Sequence, residues 1–571
     1  MRINLLGIST VLTLLCASAA LAGCPDKDPP PDNTGGAGGT GGTGGTGGTG
    51  GTGGAGGSSS VILELTDTYR AEAGEVTQNR DLGIYSSVEA QVVASDGTVQ
   101  SFPGTLSADG SRFEIPGVPE GPFWVVLTSP PLADAMNAPS SQMRFHIKET
   151  RVVDLGRIHV GRPDVATAAP DMDTKITLDA GGLAGWQQTT QEPGMPPEGL
   201  QDSLEFYSRN ADAYAAFTPV DGPGTPANGA TSITGLEFSW SGASFPASRD
   251  GLPTPLVDGT KGDVLHTTHL VAHEVVDPQA QDPAWKSYTY QTAVESFSTD
   301  AVTMTNGQPA TLSGTFAPLT LTDWQMDFKG SQFASEITTN GPGGTVAQVY
   351  ASVGISQEPG APVPILGNPP TLLSLLVIGQ QVPGDHQQTF SYGNPYASAG
   401  TEMLYANVSF RARPKHPVEG GLERLEGRLT LGMPMSEAAG KPLAPTLGLP
   451  RNLKLDANPI PVDSVTTALG QTPTVTFEAP ASGTAAFYQV QVIQLDDVRD
   501  AMGNTLRQNY TVLSASTPDT SFRIPEGVLQ TGRYYYVAVT ADSGAYALDA
   551  PLKYKSATTA YGRSFTGMFT P

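Results

Sequence analysis

The sequence predicts an all-β chain: several β-sandwiches behind an N-terminal signal peptide and a disordered Gly/Thr-rich linker. Three observations point there. Short segments alternate apolar and polar residues with period two, which places one face of a strand on a core. Asp-Gly and Asn-Gly pairs and Gly/Pro clusters separate those segments. Charged residues are only 15% of the 571, while Gly numbers 67 and Pro 48, the composition of a turn-rich extracellular β protein.

Residues 1–23 open with one cation, Arg2, and run on through apolar and small residues. The run is short and ends in small residues, so it predicts a cleaved secretory signal rather than a permanent span. Leu21-Ala22-Gly23-Cys24 resembles the lipobox of bacterial lipoproteins. That resemblance implies cleavage before Cys24, acylation of its thiol and new amino terminus, and a membrane as partner through this anchor. More than one acyl chain is needed for stable anchoring, since each buried methylene contributes only about 0.8 kcal/mol. The implied location is the cell envelope, at the outer membrane or cell surface rather than the inner membrane.

The chain has two cysteines, Cys16 and Cys24. Cys16 falls within the signal, so the mature chain would have no disulfide and no cysteine-based metal site. Residues 24–60 carry the lipidated cysteine and GGT repeats with almost nothing apolar. Such a segment cannot offset its ordering entropy and is expected to be a flexible coil. Its r.m.s. span would be about 30–36 Å, and its stretched reach roughly 120 Å.

With 31 Lys+Arg against 55 Asp+Glu the net charge is −24. The densest basic stretch, RARPKH at 411–416, is short. A nucleic-acid partner is therefore not expected.

Residues 61–162 predict a small β domain. Val88, Ala90 and Val92 alternate before an Asp96-Gly97 turn. Asp109-Gly110 marks a hairpin, Phe113 and Ile115 alternate inward, and Phe123, Val125 and Leu127 do so again with Trp124 and Val126 between them. The DG turn, F-x-I strand, G-x-P-x-G turn (Gly117, Pro119, Gly121) and aromatic strand resemble the carboxypeptidase regulatory-like, or transthyretin-like, β-sandwich family. The resemblance covers roughly forty residues and implies structure, not catalysis.

Residues 163–442 resemble no family and still read as all-β. Leu204 and Phe206 alternate, as do Leu236, Phe238 and Trp240. WKSYTYQTAVESFS and DAVTMTNGQPATLSGTFAPLTLT predict strands joined by an Asn306-Gly307 turn, and residues 401–433 predict a long hairpin. PPTLLSLLVIGQQV at 369–382 is a short helix or a buried strand; periodicity does not decide between them.

Residues 443–571 predict another sandwich. Val475 and Phe477 share one face, and Tyr488, Val490 and Val492 share another. Leu529, Gly532 and Tyr535 in LQTGRYYYVAV resemble the tyrosine corner of fibronectin type III domains. That resemblance implies a Tyr535 hydroxyl tied back to the backbone. Phe477 stands where that family usually has a core tryptophan.

For chemistry, the densest candidate is LHTTHLVAHEVVD, which holds His266, His269 and His273 and thus three of seven histidines. On a helix they would share a face and could reach one metal ion. On a strand, which the flanks favour, His266 points away and the other two lie about 13 Å apart. Asp171, Asp173, Asp179, Asp277 and Asp282 are weak calcium candidates without the spacing of an EF-hand loop. No nucleophile elbow or phosphate-cradling glycine loop is present, and no cofactor is implied. Trp186, Trp240, Trp285, Trp324 and the FSYGNPY cluster at 390–396 place any sugar site in the middle region.

The expectation is a non-enzymatic binding or scaffolding protein of the envelope, with a protein or polysaccharide ligand. The alternative is an envelope hydrolase whose active site lies in the middle region. Its mark would be a pocket with converging carboxylates or a Ser-His pair.

Overall fold

The computed structural model describes residues 59–571, apart from 95–96, 132–138, 170–173, 189–200, 220–223, 241–253, 345, 359–368, 399, 417–421, 500–504, 545–547 and 554–558. The described residues form thirty-five strands and two α-helices. The class is all-β, in several sheets. The signal, Cys24 and the GGT segment lie outside the described residues, as does Asp96.

In the first region, Ser59–Glu64 pairs antiparallel with Arg112–Val118 and parallel with Val152–Asp154. Phe123–Ser129 lies between Ser87–Val93 and Ser141–Ile147. Val61, Leu63, Ile115, Val125 and Phe145 meet between these layers as a core. The alternation seen in the sequence is thus the alternation of buried and outward side chains across the pleat.

In the middle, Ser203–Ser208 and Ala213–Phe217 form a hairpin, and Leu265–Val276 pairs with both Ser203–Ser208 and Ser287–Thr299. The ambiguous apolar run is a strand, Thr371–Gly379, paired with Gln348–Glu358 and Ser287–Thr299. The long hairpin is Thr401–Ala412 against Leu425–Pro434.

One expectation is corrected. Gly307 does sit at a turn, with φ of +67°, but the strands on either side are not hairpin partners. Ala310–Thr315 instead pairs parallel with Lys175–Gly181. Asn306 Oδ1 accepts from the Ala169 amide at 3.0 Å, so the turn is held by a remote segment rather than by a ladder. Within this all-β region lies an α-helix, Gly330–Asn340, which buries Phe333 and Ile337 one turn apart.

In the last region, the sheet of Arg451–Leu455, Thr474–Glu478 and Ser521–Arg523 accompanies Phe487–Arg499, Thr505–Thr517 and Tyr534–Asp542. Val475, Phe477, Val490, Tyr535 and Val537 fill the space between.

Ladders also cross between the three regions. Leu425–Pro434 pairs antiparallel with Thr559–Phe565, from Arg428 opposite Arg563 to Gly432 opposite Thr559. Ser141–Ile147 pairs parallel with Thr505–Thr517, from Gln142 opposite Leu513 to Phe145 opposite Ser516. Nineteen strands thereby share one hydrogen-bonded network. The cores interlock as well. Leu552 of the last region is buried in the first region's core, and Trp124 packs against the last region's core.

Candidate functional site

His266, His269 and His273 lie on the strand Leu265–Val276, not on a helix. They do not converge. His266 packs edge-on to Tyr396, with ring centroids 5.2 Å apart. His273 stacks on Tyr290 and its Nε2 lies 2.9 Å from Thr292 Oγ1. His269 is fully buried between two acids: Nε2 lies 3.0 Å from Asp202 Oδ2, and Nδ1 lies 2.8 Å from Glu295 Oε1. Trp186 stacks on its ring. Burial opposes a charge on His269, but the two carboxylates outweigh it and hold its pKa above the ordinary value. Both ring nitrogens are spent on opposite sides, so the three side chains form a closed ionic cluster rather than a ligand set. No group of three or more His, Cys, Asp or Glu side chains suited to a metal ion occurs among the described residues.

The other sequence candidates also have local work. Asp171 and Asp173 lie outside the described residues. Asp179 accepts from the Gly235 amide, Asp277 from the Gln279 amide, and Asp282 from the Ala284 and Gly384 amides. Trp186, Trp240, Trp285 and Trp324 are core residues, none more than 7% exposed. Within FSYGNPY, Phe390, Tyr392 and Tyr396 are buried too.

The middle region holds two acids with raised pKa. Burial pushes Glu205 up to about 8, and both its oxygens accept from the Thr371 amide, at 2.9 and 3.1 Å. Burial pushes Glu358 up to about 7, and its Oε1 accepts from the Tyr405 hydroxyl at 2.9 Å. Both are enclosed in the fold.

An open cleft lies elsewhere, where the first and last regions meet. A cleft of about 460 Å³ is lined by Trp124, Arg144, His146, Asp519, Phe522 and Arg523, among others. The strand Ser141–Ile147 supplies Arg144 and His146 two residues apart and therefore on one face. Phe123–Ser129 supplies Trp124 directly opposite His146. The two rings stack, with centroids 4.5 Å apart and planes 8° apart, and Phe522 meets the indole edge-on at 5.4 Å.

The charges are unevenly matched. Asp519 takes Lys148 Nζ at 2.7 Å and His146 Nδ1 at 3.1 Å. Burial lowers the His146 pKa despite Asp519 beside it, and Nδ1 also lies 3.3 Å from Thr517 Oγ1. Arg144 is only 3% exposed, and Nε donates to Gln142 Oε1 at 3.1 Å. Burial pulls its pKa down to about 10, with the charge of Glu89 opposing. Arg523 donates from Nη2 to Thr472 Oγ1 at 3.3 Å. Its guanidinium lies against Gly97, where a Cβ would come within 1.7 Å of Nη1. Neither arginine forms an ion pair with a carboxylate among the described residues.

This cleft has no contiguous signature in the sequence. Its one local signal was Trp124 on the outward face of a strand, among inward-facing neighbours. Arg144 and His146 in QMRFHI carried the same outward pattern, but nothing local tied them to residues beyond 500.

Fold and cleft together define an all-β protein of packed sandwiches with a charged cleft between its first and last regions. No family model matches the chain, and no curated protein matches it. Among solved structures it is similar to a streptococcal ancillary pilin, with 12% identity over 64% of this chain and 95% of that one, TM-score 0.11. It is also similar to a tetra-tandem repeat in the extending region of a large adhesion protein, with 12% identity over 89% and 98%, TM-score 0.09. The Bacillus anthracis TIE protein gives 8% identity over 84% and 69%, TM-score 0.10. TM-scores this low establish no shared arrangement, and no site residue carries over. No helix among the described residues is long and apolar enough to cross a membrane.

Proposed function

We propose that this protein is an envelope lipoprotein that displays a non-enzymatic binding body at the end of a flexible leash. Cys24 carries the lipid, residues 24–60 extend it, and residues 61–162, 163–442 and 443–571 are the carboxypeptidase regulatory-like, middle and fibronectin type III-like parts of the body. The ladder between Ser141–Ile147 and Thr505–Thr517 carries the binding half of this reading. It fixes the first region on the last and builds a cleft at their joint, as a body that holds a ligand under load requires. The Tyr535 hydroxyl, accepting from the Gln530 amide at 2.9 Å, supports the fibronectin type III-like assignment. A hydrolase in the middle region finds less support, since Glu205 and Glu358 are both closed off.

Membrane fractionation tests the anchor. The wild-type chain should sediment with membranes and be released by detergent. Cys24→Ser should stay soluble or unprocessed. Equal membrane retention of both would refute lipid anchoring at Cys24.

A further inference from the structure

We infer that the cleft lined by Trp124, Arg144 and Arg523 binds a carboxylate-bearing sugar residue, a uronate unit of an envelope polysaccharide. This deepens the reading of the chain as an envelope binding protein and rests on it.

Arg144 is the central observation. The residue as a whole is 3% exposed, burial opposes its charge, and a buried charge is normally paired. Here the hydrogen-bonded side chain is the neutral Gln142 amide, the charge of Glu89 acts on the guanidinium without forming an ion pair, and the wall Arg144 occupies belongs to an open cleft. Arg523 stands in the same cleft, held through one hydroxyl and backed onto Gly97. Asp519 cannot neutralise either arginine cheaply, because Lys148 and His146 already engage it. Glu526 is the other lining acid, and it can accept from sugar hydroxyls.

Two planar donor forks suit the two oxygens of a carboxylate. The aromatic wall calls for a ligand with a ring. Trp124 is held by His146 on one face and by Phe522 at its edge, so little ordering is needed on binding. The volume, about 460 Å³, fits a small-ligand site of about 300–1,000 Å³. The net charge of −24 does not forbid an acidic ligand. At physiological ionic strength exposed charges are screened beyond about 8 Å, so the arginines inside the cleft decide.

The test is calorimetric titration of the detergent-purified full chain with trisaccharides of galacturonate, glucuronate and mannuronate, with their methyl esters, and with inorganic phosphate. At least one free acid should bind, its ester about tenfold more weakly, and binding should weaken with salt. Arg523→Gln, an exposed change that leaves the fold intact, should also lose about tenfold. Arg144→Gln should lose more, its folding checked by thermal melting. Failure of all three acids to bind, equal binding of the esters, an unaffected Arg523→Gln, or phosphate binding as tightly as any acid would each overturn the inference. Because the titration is done in detergent, a failed lipid anchor would leave its outcome unchanged.

Discussion

His146 Nδ1 lies 3.1 Å from Asp519 Oδ2, so a strand of the first β region and a loop of the last are joined at the cleft wall. Lys148 reaches the same carboxylate at 2.7 Å. Asp519 is 43% exposed, and exposed pairs contribute about 1 kcal/mol or less. The joint is held mainly by the neighbouring ladder and by Trp124 packed on the last region's core. Asp519→Asn should therefore shift thermal unfolding little. It should tighten uronate binding, since it removes a competing negative charge and frees Lys148. Weaker binding by this variant would contradict the charge balance assigned to the cleft.

Tyr535 is fully buried, and its hydroxyl accepts from the Gln530 amide at 2.9 Å and donates to Gln494 Oε1 at 3.2 Å. Tyr535→Phe keeps the ring and leaves both partners without that hydroxyl. The expected loss is about 1–3 kcal/mol, read from chemical denaturation of the full chain. An unchanged unfolding curve would mean that water replaces the hydroxyl.

His269 neutralises part of a buried cluster. Removing it as His269→Leu leaves Asp202 and Glu295 buried without their shared cation. Breaking such a cluster costs about 3–5 kcal/mol. The measurement is the denaturation midpoint. A loss below about 1 kcal/mol would show that the two acids find other partners.

Glu205 and Glu358 should each make stability fall as pH rises towards their raised folded values, against the opposite contribution of His146, His266, His273 and His386, whose pKa values burial lowers. Glu205 has an ordinary pKa of 4.5 and a folded value of about 8. Between those values the folded chain holds a proton that the unfolded chain has released, so raising the pH favours unfolding. His269 acts in the same direction: its contribution is complete below its ordinary value of 6.5 and is lost as pH climbs through the raised folded value. Glu205→Gln keeps a neutral acceptor for the Thr371 amide and should reduce the total stability lost between pH 5 and 8 by an amount on the order of several kcal/mol. An unchanged slope would place the pH response elsewhere.

The strands were legible where a pleat buries every second side chain, as at Leu236 and Phe238 or Val475 and Phe477. Turns were legible where an Asx-Gly pair favours positive φ, as at Gly110 and Gly307. Partners were not. The turn at Asn306-Gly307 joins strands that pair elsewhere, because the parallel ladder to Lys175–Gly181 depends on residues far upstream. The helix Gly330–Asn340 was hidden by its short length and its lack of a side-chain cap at Lys329. His269 was visible as a residue, but its acids lie 67 and 26 positions away, and only the fold brings them in. The cleft was least legible, since Arg144 acquires its meaning from a ladder to Ala515.

Mass spectrometry of the mature N-terminal peptide tests the central claim most directly. The expected result is a chain that begins at Cys24 and carries the added mass of acyl chains on its thiol and amino terminus. An intact signal, a start at another residue, or an unmodified Cys24 would contradict the lipid-borne design.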